Sequence, residues 1–332
     1  MSLRSLFAGL LALGIASAIA ILPALANPER WQAQGWKTDF TRSNIAFSEI
    51  LSGGPPRDGI PSIDKPAFGT VQDNETLGPN EPVIQLDLNG DVRAYPLRIL
   101  TWHEIVNDVV GGVPVAVTYC PLCNASIVFD RRMGDEILEF GTTGKLRNSD
   151  LVMYDRSSES WWQQFTGESI VGTHSGKELT MLAVRVVGFS SFAKDHPNGK
   201  VLVPNGASKR PYGRNPYVNY DSRAAPFPLF TGDLPSNINP MARVIVLNKD
   251  DRAFAVTMNK LRKNGKIVLD DITLTWQKGV ASALDAALIK EGRDVGAVSV
   301  TRMVNGKSED VVHDVTFAFV FHAFHANGDL LQ

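Results

Sequence analysis

The only two cysteines in 332 residues stand three apart, in Cys120-Pro121-Leu122-Cys123. That spacing denies the fold a disulfide framework. Closing so short a loop would stabilise a chain by only roughly 2 kcal/mol in the chain-entropy model, and strain in the small ring would take part of that away. The chain must therefore be held by an apolar core, and the cysteine pair suits chelation or redox exchange better than stapling. With 44 % hydrophobic residues, 28 Gly and 19 Pro, the composition fits a core wrapped in many turns.

Residues 1–26 read as an export signal. Arg4 supplies a positive start, Leu6 to Leu22 an apolar run, and Ala24-Leu25-Ala26 a cleavage site before Asn27. No cysteine follows the run, so lipid attachment there is excluded, and membrane attachment is expected only if the segment stays uncleaved. The expected location is periplasmic or extracellular. In an oxidising compartment a free cysteine pair oxidises unless a reductant or a metal occupies it. Lys and Arg number 33 against 35 Asp and Glu, a net charge of −2 without a long basic run. Nucleic acid is thus an unsuitable partner. The absence of P-loop, GxSxG and HExxH patterns removes support for those enzyme classes, and nothing signals a nucleotide cofactor.

The predicted fold class is α+β and strand-rich. It is a single large domain, expected as two diverged repeats, with segments 27–82 (an N-terminal arm), 83–190, 191–243 (connecting loops) and 244–332. Gly53-Gly54-Pro55-Pro56 and Asp58-Gly59-Ile60-Pro61 make the arm a wrapping segment, or a loop that delivers Asp58 or Asp64 to a site. Val83 to Leu86, the turn Asn89-Gly90, and Val92 to Tyr95 read as a hairpin. Pro96 opens a helix with Ile99, Trp102, His103 and Val106 on one stripe. Val115 to Tyr119, Ser126 to Asp130, Glu136 to Phe140 and Asp150 to Tyr154 read as strands. Val244 to Leu247 with Arg252-Ala253-Phe254 echoes the first hairpin, which puts Gln277 and Val280 in register with the cysteines. Val315 to His325 alternates as a buried strand, with a helix as the alternative.

Two chemistries stay open for the pair. In a thioredoxin-like setting the cysteines would open a helix whose N-terminus lowers the thiol pKa. The run Ile127-Val128-Phe129 instead reads as a returning strand, which favours a metal-binding knuckle. Such a turn needs a residue tolerant of left-handed backbone after the second cysteine, and Asn124 stands there. A knuckle supplies two ligands where zinc takes four. His103 is the candidate third, with Glu104 or Asp108 orienting it, and a satisfied core histidine on the apolar stripe is the equal alternative; thiolate donors suit copper or zinc. Met153 is a further thioether candidate beside the commoner core role. Trp161 and Trp162 are expected as two packing residues on opposite faces of a strand, with the alternative that one is exposed and stacks on a planar ligand. Arg210 to Tyr217 reads as a rigid aromatic loop. His174, His196 and His313 are expected in solvent, and His322 and His325 in the core or at its rim.

These motifs resemble the bacterial and archaeal family catalogued as domain of unknown function 3179. The resemblance rests on Gly53-Gly54-Pro55 with Asp58 to Pro61, Arg93-Ala94-Tyr95-Pro96, and His103 to Asp108. Thr118 to Cys123, Leu151 to Asp155 and Glu159 to Gln164 continue it. It implies that His103 and the cysteine pair belong to the family pattern, and it brings no activity with it. Similar proteins carry Pro where this chain has Ala326, which sets any role of His325 apart. Three functions follow as expectations: an exported metal-binding protein with copper or zinc, a thiol–disulfide oxidoreductase using Cys120 and Cys123, and a non-enzymatic module with aromatic loops.

Overall fold

The computed structural model describes residues 27–74, 76–204, 210–249 and 252–332, so the export segment lies outside the described residues. The chain is a strand-rich α+β protein with several sheets. None of its described helices is long and apolar enough to cross a membrane.

The predicted hairpin is present. β1 (Pro82–Leu88) and β2 (Asp91–Pro96) pair antiparallel across Asn89-Gly90, both at positive φ. Helix α1 (Leu97–His103) follows, then β3 (Ile105–Val110), β4 (Val113–Cys120) and β5 (Ala125–Asp130). The helix is shorter than its apolar stripe. Glu104 ends it, and Ile105 and Val106, β-branched and flat, pair with Thr118 and Val117 instead. β4 shows the period of two that a doubly buried strand requires. Ala116 and Cys120 face one core with Phe129, Met153, Trp162 and Phe317. Val115, Val117 and Tyr119 face another with Ile84, Tyr95 and Leu100.

Next come β6 (Phe140–Arg147), β7 (Asp150–Asp155), β8 (Trp161–Gln163) and β9 (Ser169–Val171), one antiparallel sheet completed by Ile50–Ser52. The stretch expected as a strand from Glu136 divides into Glu136–Ile137 and the start of β6. Then come β10 (Met181–Leu182), β11 (Arg185–Gly188), α2 (Phe189–Asp195) and β12 (Lys200–Val203). β11-β1-β2-β12 form one sheet, with β12 parallel to β2 and Ala67–Thr70 beyond it; β10-β5-β4-β3 form another.

The C-terminal part contains β13 (Arg243–Lys249), β14 (Arg252–Thr257), α3 (Met258–Asn264), β15 (Lys266–Leu269) and β16 (Ile272–Gln277). It continues with β17 (Ala297–Val304), β18 (Lys307–Asp310), β19 (His313–Phe317), α4 (Ala318–Phe324) and β20 (Asp329–Leu331). Its sheets run β19-β13-β14-β20, with β20 parallel to β14, and β15-β16-β17-β18. The tail expected as one strand is therefore β19 up to Phe317 and a helix thereafter. Phe317, Phe319 and Phe321 are all buried, so a helix covered on several sides satisfies the same apolar run.

The arm covers the β6–β9 sheet. Trp31 and Trp36 pack edge-on against Trp161, with centroids 4.8 and 5.1 Å away. Both tryptophans are packing residues on opposite sides of the strand, the arm burying one side and the cysteine core the other, so the alternative of an exposed tryptophan is overturned. The Pro55 loop crosses β6 so closely that a Cβ on Gly144 would stand 2.0 Å from the Pro55 carbonyl oxygen. Asp58 and Asp64 do not go to the cysteines. Both carboxylates reach Arg156, at 3.3 and 3.2 Å.

Candidate metal centre

Cys120 closes β4, and its thiol faces the core because it shares the side of Ala116. The chain then turns, with Cys123 N–H donating to the Cys120 carbonyl (3.2 Å) and Asn124 N–H to that of Pro121 (3.2 Å). Asn124 takes the left-handed φ of 56°, and Ala125 re-enters the ladder opposite Cys120. A strand, not a helix, follows the pair. The turn is tied from outside: the Cys123 carbonyl accepts from Thr316 Oγ1 (2.8 Å) and Phe317 N–H (3.2 Å), and Asn124 Nδ2 donates to the Val315 carbonyl (2.8 Å). Tyr220 O–H donates to the Leu122 carbonyl (2.9 Å).

The third member is Asp150. Its side-chain oxygen and the two sulfurs lie within 4.8 Å of one another, all buried. β6 and β7 meet in the turn Asn148-Ser149, both at positive φ, which places Asp150 at the first position of the returning strand. Ser149 lends its carbonyl to both thiols, at 3.5 Å from Cys123 Sγ and 3.8 Å from Cys120 Sγ. Asp150 Oδ2 is held by Gln163 Nε2 (2.5 Å) and Phe165 N–H (2.9 Å). Oδ1 is buried and has no hydrogen-bond partner. Gln163 belongs to the Trp161-Trp162-Gln163-Gln164 motif, so part of that motif serves to aim this carboxylate.

Electrostatics make the group uncomfortable without a cation. Burial raises both thiol pKa values, Cys123 well above its usual range, and the neighbouring Asp150 charge raises them further. Burial also pushes Asp150 up to about 6. Glu104, buried and repelled by Asp150, is pushed up to about 8. Tyr217 lies in the field of Glu104 and Cys120, and its phenol is raised by burial first and by those two charges next. Among the described residues no lysine or arginine pairs with Asp150 or Glu104.

His103 is not part of this group. Its Nδ1 lies 2.7 Å from the Pro61 carbonyl and its Nε2 2.7 Å from Tyr212 O–H. A carbonyl only accepts, so Nδ1 carries the proton and Nε2 accepts from the tyrosine. Neither nitrogen keeps a lone pair for a metal, and burial lowers the ring's pKa. The residue beside the two sulfurs is instead Asp150, which comes from a distant hairpin. Asp108 does not orient that ring either: Arg93 Nη1 (2.7 Å), Tyr95 O–H (2.6 Å) and Val109 N–H (2.7 Å) bind its carboxylate. Asn107 pins Phe140 at the start of β6 through both backbone groups. The Arg93 to Tyr95 and His103 to Asp108 motifs thus fix the scaffold beneath the cysteines.

Met153 is fully buried in the cysteine-side core, and Trp162 Nε1 donates to Asp155 Oδ2 (2.9 Å). His174 and His313 are buried rather than solvated. The first packs on Trp162 and the second bonds the Val311 carbonyl at 2.9 Å. His196 is half-buried beside Gln85, and His325 packs against Phe165 and Phe321. In the aromatic loop, Tyr212 covers His103, while Tyr217 and Tyr220 lie in the field of the cysteines. Asp150 carried a sequence signal that was easy to pass over, a lone acidic residue before the apolar run Leu151-Val152-Met153.

Fold and site together define a strand-rich α+β protein with a buried group of two thiols and a carboxylate. It belongs to the DUF3179 family, described as a protein of unknown function, whose model matches residues 57–328. Neither a curated protein nor a solved structure matched the chain.

Proposed function

We propose that this is an exported metal-binding protein that holds a divalent transition metal, zinc above others, through Cys120, Cys123 and Asp150. The observation that carries this reading is the buried group itself, two sulfurs and a carboxylate within 4.8 Å of one another, in which Asp150 Oδ1 has no hydrogen-bond partner. A buried carboxylate without a counter-ion costs up to several kcal/mol (roughly, after relaxation), of which the hydrogen bonds to Oδ2 offset part, and a cation at that point removes the rest. A donor set mixing thiolate and carboxylate suits zinc, which takes both, better than copper(I), which favours sulfur and nitrogen. The thiol–disulfide reading loses support because both thiols are buried with raised pKa values, the signature of unreactive cysteines. The aromatic-ligand reading loses support because both tryptophans are fully buried.

Export rests on the apolar N-terminal segment and places the mature start at Asn27, which the intact mass of secreted protein tests. We also infer that the domain is two diverged copies. In support, the sheets β11-β1-β2-β12 and β19-β13-β14-β20 share strand order and one parallel edge pair. On that reading Cys120 corresponds to Gln277, and the turn at Cys123 is replaced by residues 278–296, which leaves Val280 without a counterpart.

Elemental analysis of untagged protein purified without chelators tests the metal. Stoichiometric zinc that disappears in both Cys120→Ser and Asp150→Asn is expected. Metal-free wild type that forms a reversible Cys120–Cys123 disulfide would end the proposal.

A further inference from the structure

Helix α1 ends in an unusual way. Its cap, Glu104, has φ 59° and ψ −32°, a backbone conformation that strains any residue with a Cβ. Its N–H donates to the Leu100 carbonyl (2.7 Å), and its carbonyl accepts from Tyr119 N–H (2.8 Å). Helix α3 ends in the same geometry: Gly265 has φ 70° and ψ −37°, donates to the Leu261 carbonyl (2.8 Å), and accepts from Trp276 N–H (2.9 Å). The second cap uses the residue that the conformation calls for. The first uses glutamate.

Of the non-glycine residues at positive φ among those described, all are Asn or Asp except Glu104, Ser149 and Glu159. Ser149 supplies the carbonyl under both thiols, so two of these three exceptions border the cysteines. Strain of this kind persists where surrounding structure holds it for a purpose. The Glu104 carboxyl is buried, accepts no hydrogen bond from any described residue, and lies in the field of Asp150, Cys120 and Tyr217. A buried acid with no cation paired to it, beside a group already short of one, has no packing role that an apolar side chain would not fill better.

We infer that Glu104 is the fourth ligand of the metal centre, an oxygen donor that completes a tetrahedral site with Cys120, Cys123 and Asp150. The inference rests on the reading of those three residues as ligands. The Glu104 carboxyl lies outside the 4.8 Å group of the other three donors. Rotation about its side-chain bonds brings it onto a cation that attracts both. Ligands bind deprotonated, so metal uptake releases protons to solvent.

The test uses the full mature chain as wild type, Glu104→Gly and Glu104→Gln, with zinc affinity measured by competition against a chromophoric chelator and metal-free melting followed in parallel. Glu104→Gly should melt higher than wild type without metal, because glycine relieves the cap, and should bind zinc at least about tenfold more weakly. Glu104→Gln keeps the Cβ and should also lose about tenfold in affinity. A residue retained only for folding would show the reverse, lower melting with unchanged affinity. Wild type that binds zinc while both variants bind it equally well overturns the role of Glu104 and leaves the three-ligand centre standing. If Glu104→Gly fails to fold, unchanged affinity in Glu104→Gln overturns it alone. Wild type that binds no zinc overturns both readings together.

Discussion

The two helix caps sit in like surroundings and differ in chemistry. β1, β2, α1, β3 and β4 lead to a strained glutamate and a cysteine turn, while β13, β14, α3, β15 and β16 lead to a glycine and a long loop. The second path holds together with Gly265 and Gln277 at the corresponding points, so the architecture itself needs neither a carboxyl nor a thiol there. What the first path adds is a buried carboxyl and two buried thiols, whose charged forms burial disfavours. The β6–β9 sheet, which brings Asp150, has no counterpart in the second path, where β17 and β18 are joined through Asn305-Gly306. Scaffold and site are therefore separable by mutation.

The largest effect that breaks the comparison is expected at Asp150. With free zinc at a thousand times Kd, binding stabilises the wild type by about 4 kcal/mol. Asp150→Asn should abolish that gain while leaving metal-free melting unchanged or higher, because a buried carboxylate is removed. Thermal melts with and without zinc check it. A variant that keeps the zinc-dependent shift would show that the sulfurs bind metal without this carboxylate.

Lys145 sharpens the contrast from the other face of the same sheet. Its ammonium lies 5.5, 5.9 and 5.4 Å from the rings of Trp31, Trp36 and Trp161. Burial, with some repulsion from Arg30, lowers its pKa to about 8. The unfolded chain keeps that proton up to about pH 10.4, so between about pH 8 and 10.4 the unfolded state binds more protons and stability rises with pH. The linkage alone is worth about 3 kcal/mol across that window, and attraction to the indole faces offsets about 1–2 of it. Urea unfolding at pH 8 and 10 should therefore show wild type gaining about 1–2 kcal/mol relative to Lys145→Met. Parallel behaviour at both pH values would mean that the ammonium is hydrated.

Much of the scaffold could be read from local chemistry. Asn89-Gly90 specifies its hairpin, Ile127-Val128-Phe129 specifies the strand after the cysteines, and Asn124 takes the left-handed turn that its position requires. These depend on neighbouring residues. The site was half legible, because Cys120 and Cys123 are adjacent in sequence while Asp150 reaches them through a separate sheet. His103 misleads because its helix runs straight into the cysteine strand, yet the ring is taken by Pro61 and Tyr212, which lie far off in the chain. The tryptophan pair showed its alternation correctly, but only the arm's distant Trp31 and Trp36 reveal that both sides are covered.

Gly265 provides the reciprocal of the Glu104 experiment. No heavy atom lies within 4 Å of where a Cβ would stand, so Gly265→Ala meets no clash and reports the backbone alone. A cost of about 1–2 kcal/mol is expected from the positive φ, read as a lower urea midpoint at unchanged slope. A neutral result would mean that this cap is not strained, and Glu104 would then no longer require an explanation from function.

The smallest expected effect concerns where the two helices begin. Thr257 caps α3, its Oγ1 accepting from Lys260 N–H at 3.3 Å, whereas α1 starts after Pro96, which has no side-chain acceptor. Thr257→Ala should cost about 0.5–1 kcal/mol, with faster hydrogen exchange at the Lys260 amide and no change in zinc affinity. The equivalent turn of α1 is held instead by what lies around it, including the ion pair of Arg98 with Glu81. A helix fixed by its surroundings can end in a strained glutamate; one that relies on its own cap is better served by ending in glycine. If Thr257→Ala altered zinc binding, the C-terminal half would be coupled to the cysteine turn through β19, which already holds the Cys123 carbonyl, and the two paths would not be independent.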